Sequence, residues 1–318
     1  MVLNLKRKLF IRNLLVVWHK YLDKIMKCRI IVLTYNAGDN WSKWIESYKS
    51  QDAKNVSCLV IDSSSDDNTV IKSINAGLDV EIIPKEEFCH GRTRNYAYKK
   101  SKEFDLIIYM TQDAIFYDNQ SLKNIINGFN DINIAISFGR QIPNIGAMPI
   151  ESHARIYNYP DKSRIVSLHD KYEIGFKITF NSNSFSAYRV AALNDINGFP
   201  NNVSFGEDAY VAGKVLLKNW KILYNANSKV YHSHNYTCLQ EYKRYKEIGN
   251  FHSQNKWIFE NFGTPENEGL NFIFSEISYL LSNNKLMLVP YAVLKTIYKY
   301  VGYKIGLYSK KDMSNNNE

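Results

Sequence analysis

Two acidic residues stand side by side in Phe205-Gly-Glu-Asp-Ala209, just before an apolar-periodic stretch that reads as a helix from about Asp208 to Lys218. Glu207 and Asp208 would lie at its N-terminus, where unpaired backbone amides and the helix dipole favour ionised carboxylates. A carboxylate held there can take the proton from an attacking hydroxyl. The pair could equally be an N-cap, and the residues alone leave both readings open. A third carboxylate, Asp113, follows the apolar run Leu106 to Met110, so a strand would carry it to a fixed place. With Mg²⁺ or Mn²⁺ it would neutralise a departing diphosphate, although capping of the next segment competes. His232 and His234 are two residues apart on an expected strand, which puts both imidazoles on one face, within reach of a metal or a phosphate. One of the two is expected at the site, not both.

The segment Phe88-Cys-His-Gly-Arg-Thr-Arg-Asn95 opens another expected helix. Gly91 would allow close backbone approach to a ligand, and amides reinforced by Arg92 or Arg94 suit a phosphate or a polar base, with one arginine left in solvent. Two further polar clusters follow apolar runs: Thr34-Tyr-Asn-Ala-Gly38 and Asp62-Ser-Ser-Ser-Asp-Asp67. Ser65, Asp66 and Asp67 read as caps of the following helix. Asp62, at the strand end itself, reads as a contact to the base or ribose of a nucleotide.

The elements that must position these groups alternate. Strands are expected at residues 29–34, 57–62, 80–83, 105–110 and 134–138, with helices at 41–50, 91–101 and near 121–129 and a short helix after Asp67. Strand and helix in turn imply crossover units and a parallel sheet covered on both faces, a doubly wound, Rossmann-like α/β layer with its ligand beyond the carboxyl ends of the strands. Residues 139–180, with Pro143, Pro149 and Pro160, read as irregular and partly helical. Order resumes at 178–188 and at a strand over 229–234, and from Leu239 the chain reads as helical.

The composition is that of a globular chain: 318 residues, 45% hydrophobic and 22% charged. Four scattered cysteines without CxxC pairing indicate neither a zinc site nor a disulfide framework, and suit a reducing cytoplasm. The net charge of +9 favours anionic partners such as nucleotides or lipid head groups. No apolar run approaches a membrane span, and no signal-peptide cleavage site is evident. Basic residues are spread out and no recognition motif stands out, so nucleic acid is not an expected partner. Neither GxGxxG nor GxxxxGK[ST] occurs, which argues against a dinucleotide dehydrogenase and a P-loop kinase. A nucleotidyltransferase would want a basic, glycine-rich loop after the first strand, and Tyr35 to Asp39 holds no lysine or arginine.

In this order the motifs resemble the family 2 inverting glycosyltransferases of GT-A fold, and among them the bacterial rhamnosyltransferases of O-antigen and other surface polysaccharides. The resemblance spans roughly residues 28 to 308. It is carried by Thr34-Tyr-Asn36, Val60 to Ser65, Phe88 to Asn95, Met110-Thr-Gln-Asp-Ala114, Asn197-Gly-Phe199 and Phe205 to Asp208, and in the tail by Tyr245 to Gly249, Glu268 to Leu270 and Tyr303 to Gly306. It implies a GT-A, mostly parallel α/β sheet with a helical C-terminal region. The donor site would use Thr34, Tyr35, Asn36, Asp62, His90, Gly91, Arg94, Gln112 and Asp113, with Asp62 on the nucleoside. It implies a metal on Asp113 with His234 or His232, Asp208 as general base and Glu207 contacting the acceptor. The donor implied is dTDP-L-rhamnose, transferred with inversion to a glycan or lipid-linked acceptor. One departure stands out: the usual metal motif of this fold has two acidic residues around a spacer, and here neutral Gln112 precedes a single Asp113. A non-catalytic nucleotide- or glycan-binding scaffold remains the other class, and would not need Asp208 as a base.

Four segments follow as the expected organisation: a basic extension at 1–27, a catalytic domain at 28–238, a helical region at 239–311 and a disordered tail at 312–318. Residues 1–27 have the make-up of a basic amphipathic helix or of a solvated one. In the tail, Lys295, Lys299, Lys304, Lys310 and Lys311 could ride on anionic lipid at the inner face of a membrane or pack on the catalytic domain.

Overall fold

The computed structural model describes residues 26–309 apart from Lys54 and Pro265. The expected basic extension, save Met26 and Lys27, and the tail with Lys310 and Lys311 lie outside the described residues.

The chain opens with β1 (Cys28–Thr34), α1 (Asn40–Lys49), β2 (Val56–Asp62), α2 (Thr69–Asn75), β3 (Asp79–Ile82), α3 (His90–Lys99) and β4 (Leu106–Thr111). β1 pairs in parallel with β2 and β4, and β2 with β3. Thr34 lies opposite Asp62, and Leu33 opposite Thr111, so the three polar strand ends meet at one edge as the alternation requires. Side-chain alternation along these strands feeds two cores. Ile30, Val32, Leu106, Ile108 and Met110 face one way, onto Trp41 and Trp44, which are stacked with ring centroids 4.8 Å apart. Ile31, Ile107 and Tyr109 face the other way, toward Tyr98, Tyr188 and Phe199.

Then come β5 (Ile115–Phe116), α4 (Ser121–Asn127), β6 (Ile134–Ile142), α5 (Pro149–Asn158), β7 (Arg164–Val166), α6 (Lys171–Ile174), β8 (Phe185–Arg189), α7 (Val190–Asp195), α8 (Glu207–Leu217) and β9 (Lys221–Tyr231). Here the sheet is more mixed than expected. Its order is β3-β2-β1-β4-β8-β6-β9-β5, with β7 on β9. β8 runs antiparallel to both β4 and β6, while β6 and β9 are parallel. Hydrophobic runs locate strands but carry no direction, and the excursion through α5 and α6 brings the chain back from the opposite end.

Three boundaries differ from the expected ones for local reasons. β6 continues to Ile142, into the segment read as irregular. The order expected to resume at Ile178 becomes a strand only at Phe185, because Asn181 to Ser184 spend their polar groups on side-chain hydrogen bonds instead of a ladder. β9 starts at Lys221 and ends at Tyr231, eight residues earlier than expected at its start. Its polar stretch Asn225 to Ser228 hides the strand pattern and accompanies a register shift against Gly139 and Arg140. His232 and His234 therefore lie just past the strand end, not on it.

The helices α9 (Cys238–Gln254), α10 (Trp257–Phe262), α11 (Glu266–Ser282) and α12 (Val289–Tyr308) complete the described chain. Phe251, Ile258 and Phe262 enter the same core as Val211 and Leu216 of α8, so the helical region is joined to the sheet layer through apolar packing. Among the described residues no helix is long and apolar enough to cross a membrane.

Candidate functional site

The loop after β1 is tied to the loop after β2 through Asp62. That carboxylate is fully buried at its strand end; it accepts from Thr34 Oγ1 at 2.7 Å and from the backbone N–H and hydroxyl of Ser65, each at 2.7 Å. Ser65 Oγ in turn accepts from Asn36 N at 2.8 Å, and Asn36 Oδ1 accepts from Asp66 N at 2.9 Å. Asp62 thus orders Thr34, Tyr35 and Asn36 from beneath. Expected to contact base or ribose, the Asp62 carboxylate here has no exposed surface and spends its oxygens on Thr34 and Ser65.

Gln112 has a comparable task. Its Oε1 accepts from Tyr35 N at 2.9 Å and its Nε2 donates to Tyr35 O at 3.1 Å, so the amide clamps both main-chain polar groups of one residue. Only an amide offers a donor and an acceptor together in this way, which accounts for a neutral residue where an acid is usual. Tyr35 also takes the Lys85 ammonium, 4.3 Å above its ring centroid.

Next to Gln112, Asp113 meets both histidines. Asp113 Oδ2 lies 3.5 Å from His232 Nε2 and 3.4 Å from His234 Nε2, and one ligand atom from each of the three residues falls within 4.8 Å of the others. Burial pushes the Asp113 carboxyl up, but the neighbouring His232 and His234 outweigh it and hold the group well below the usual carboxylate range. Burial, and after it His232, push His234 down to about 4, so its imidazole is neutral with a free lone pair. The expectation of one histidine is corrected: the chain brings in both.

His232 is held by groups that the sequence reading passed over. Gln141 Nε2 donates to Ser182 Oγ at 2.9 Å, and Gln141 Oε1 accepts from Arg155 Nη1 at 2.7 Å. The same oxygen lies 2.9 Å from His232 Nδ1. As an acceptor it requires a proton on Nδ1, which makes Nε2, the nitrogen beside Asp113, the one that could bind a metal. A carboxylate and two imidazoles with a hydrogen-bonded outer partner form a donor set that fits a divalent transition-type cation.

The acidic pair sits at the start of α8. Gly206, at φ +81°, caps α8, and a side chain there would press on the Phe251 ring; this left-handed turn starts the helix at Glu207. Glu207 is buried, with Oε1 2.7 Å from Arg94 Nη1 and 2.9 Å from Asn183 Nδ2. Burial works against its charge, but Arg94, His90 and Asn183 together hold the carboxyl below its ordinary value. Half-buried Asp208 goes the opposite way: burial first, then the Glu207 charge, push it up to about 7. Its Oδ1 accepts from Ala209 N at 2.8 Å and its Oδ2 is 3.5 Å from Asn183 N. Two adjacent carboxyls are thus held in different protonation regimes, the arrangement of an anchor beside a base.

His90 opens α3 with Nδ1 3.1 Å from Arg94 Nη1, and burial followed by the Arg94 charge lower its affinity for a proton. Gly91 is corrected: a Cβ there would lie 2.1 Å from Pro200 O, so the glycine admits the chain's own 200–203 loop and not a ligand.

One segment joins the two clusters. In Asn181-Ser-Asn-Ser184, Asn183 contacts Glu207 and Asp208 while Ser184 Oγ lies 3.5 Å from His232 Nε2 and Ser182 holds Gln141. The signal was a polar run immediately before an apolar strand. Gln141 and Arg155 carried no comparable mark.

A family model described as Glycosyl transferase family 2 matches residues 29–196. The O-antigen chain rhamnosyltransferase WbaN of Salmonella anatum is 40% identical over 278 residues, covering 87% of this chain and 88% of that protein. RfbN of Salmonella typhimurium, also an O-antigen chain rhamnosyltransferase, is 40% identical over 282 residues, with 88% and 90% covered. Among solved structures, the mannosyltransferase PcManGT of Pyrobaculum calidifontis, in complex with GDP-Man and Mn²⁺, superposes with a TM-score of 0.62 over 94% of this chain and 95% of its own at 14% identity.

Proposed function

The chain belongs to glycosyl transferase family 2, and from that membership we propose that it is a rhamnosyltransferase of surface-polysaccharide synthesis, moving L-rhamnose from dTDP-L-rhamnose onto a glycan or lipid-linked acceptor. The observation that carries the reading is the acidic pair in two protonation regimes beside an Asp–His–His cluster, with one four-residue segment touching both.

On this reading the nucleotide lies along the Thr34–Asn36 loop and its diphosphate at Asp113, His232 and His234. A divalent cation on those three residues would supply positive charge to the departing diphosphate, and the two imidazoles favour Mn²⁺ over the harder Mg²⁺. Asp208 takes the proton of the acceptor hydroxyl as that oxygen attacks the anomeric carbon opposite the diphosphate. The C–O bond to the phosphate breaks and the configuration inverts. Glu207, fixed by Arg94 and Asn183, keeps Asp208 basic enough for neutral pH. Arg94 is buried against Glu207, and His90 contacts it from the start of α3. A nucleotide-sugar donor and four unpaired cysteines suit the cytoplasm, at the inner face of the membrane when the acceptor carries lipid.

The test is a panel of nucleotide sugars with and without Mn²⁺ or Mg²⁺, scored for binding and slow hydrolysis, followed by transfer to rhamnose-accepting glycans. Preference for another sugar would overturn the donor assignment. Donor binding with unchanged transfer in Asp208→Asn would overturn the base, and binding without any turnover by the native chain would favour a scaffold.

A further inference from the structure

The helix α12 is turned inside out. Its inner face carries Ala292, Lys295, Gly302 and Gly306, all buried. Lys295, with a side chain only 3% exposed, pairs with Glu151 of α5 and lies 3.7 Å from Glu241 of α9; Lys299 Nζ lies 3.6 Å from the same Glu241 oxygen. A Cβ at Gly302 would be 2.4 Å from Tyr242 O, and one at Gly306 would be 2.0 Å from Lys246 O, so α12 and α9 touch backbone to backbone. No bulky side chain fits in that seam. Of the tail lysines read as riding on lipid or packing on the catalytic domain, Lys295 and Lys299 are thus turned inward against α5 and α9, while Lys304 stays half-buried beside the Tyr300 ring.

The bulk is on the outside. Val293, Leu294, Ile297, Tyr298, Val301 and Ile305 recur at helical spacing on the exposed face, and every exposed residue of α12 is apolar or aromatic. The 20-residue helix is about 30 Å long. Leu286 and Met287, the latter 91% exposed, extend the strip at one end, and Leu239 of α9 lies beside it. A strip of this extent on a water-facing helix marks a surface with an occupant.

We propose that the occupant is an anionic lipid surface, with α12 lying in its plane. The helix is not apolar enough to cross a membrane. Tyr298, Tyr300 and Tyr308 combine apolar rings with hydroxyls that head groups and water satisfy, whereas a dry contact with a second copy would have to pair each of them. The net charge of +9 attracts an anionic surface and repels a like chain. The location also serves the site: Leu239, on the groove wall, follows His234 by five residues. For its purpose the proposal rests on the reading of a lipid-linked acceptor.

The experiment is flotation of the full chain with phosphatidylethanolamine–phosphatidylglycerol vesicles, comparing the native protein with the double variant Ile297→Asp, Val301→Asp. The native chain should float, and the variant's partition should fall about tenfold or more, with thermal unfolding and vesicle-free donor hydrolysis unchanged. Met287→Glu is the second variant, since its nearly fully exposed side chain cannot disturb the fold; it should lower partition in the same direction. A native chain that does not float, or folded variants that float as well as it does, would overturn the proposal. So would a native dimer that the double variant makes monomeric while vesicle binding persists, which would give the face to a second copy. Donor hydrolysis without vesicles reports separately on the glycosyltransferase reading, so failure of one is not mistaken for failure of the other.

Discussion

Arg94 Nη1 lies 2.7 Å from Glu207 Oε1 with both side chains buried, and the charge that, after burial, does most to keep Asp208 protonated up to near-neutral pH is one half of that ion pair. Replacing Glu207 by Gln keeps an acceptor for Arg94 and Asn183 but removes the negative charge. The acidic limb of the kcat/KM profile should then move down by about one pH unit, read from a pH–rate series. Arg94→Met should instead destabilise the fold by about 3–5 kcal/mol, because it strands a buried carboxylate; denaturant unfolding measures this.

For Asp208→Asn, transfer should fall by about 10²–10⁴-fold while nucleotide binding persists, measured by product formation and by calorimetric titration. In the native enzyme, activity should rise with pH through about 7 as Asp208 loses its proton.

Asp208 also makes a stability prediction of definite sign. Its folded pKa is raised, so the folded state binds the extra proton, and the associated stability is full below the ordinary carboxylate range and lost as pH rises through about 7. Asn cannot ionise. Thermal melts of Asp208→Asn should therefore gain on the native chain between pH 5 and pH 8, by about 2–4 °C for each kcal/mol relieved. A constant difference across that interval would contradict the assignment.

Gln141→Leu removes the acceptor that fixes the His232 tautomer and leaves Arg155 without that partner. Mn²⁺ affinity should drop by about 10–100-fold, as for loss of an outer-shell partner, with the fold retained. Titration calorimetry with the metal alone is the measurement.

Gln112→Glu would give the strand end the second acid usual for this fold. It should not tighten the metal site. The new carboxylate would face Tyr35 O where an N–H now donates, at a cost of about 1–3 kcal/mol. Donor affinity should fall as the Thr34–Asn36 loop loosens, which nucleotide titration would reveal.

The sheet's first half was legible because β1, β2 and β4 are nearly unbroken apolar runs that end on polar residues, and a strand end is a fixed address. Strand direction was not legible, since β8 reads alike from either end. The places of Asp113, Glu207 and Asp208 at element ends were legible, because each adjoins a clear apolar run. The partners of Asp62 and Gln112 were not legible, because whether a polar group faces a ligand or its own backbone depends on the neighbouring loop, and Ser65 and Tyr35 supply those partners from elsewhere in the chain. Gln141 stayed hidden because a glutamine inside a strand looks like any solvent-facing position until its neighbours are known.

Asn181 to Ser184 touch Asp208 at Asn183 and His232 at Ser184, one residue apart. On the proposed reading the segment is therefore a ruler between the proton acceptor and the diphosphate end of the site. Surface loops elsewhere in the chain can gain or lose residues without altering that interval. Here a single inserted residue would set the two ends out of step, so its length should be as strictly fixed as the identity of the carboxylates it separates.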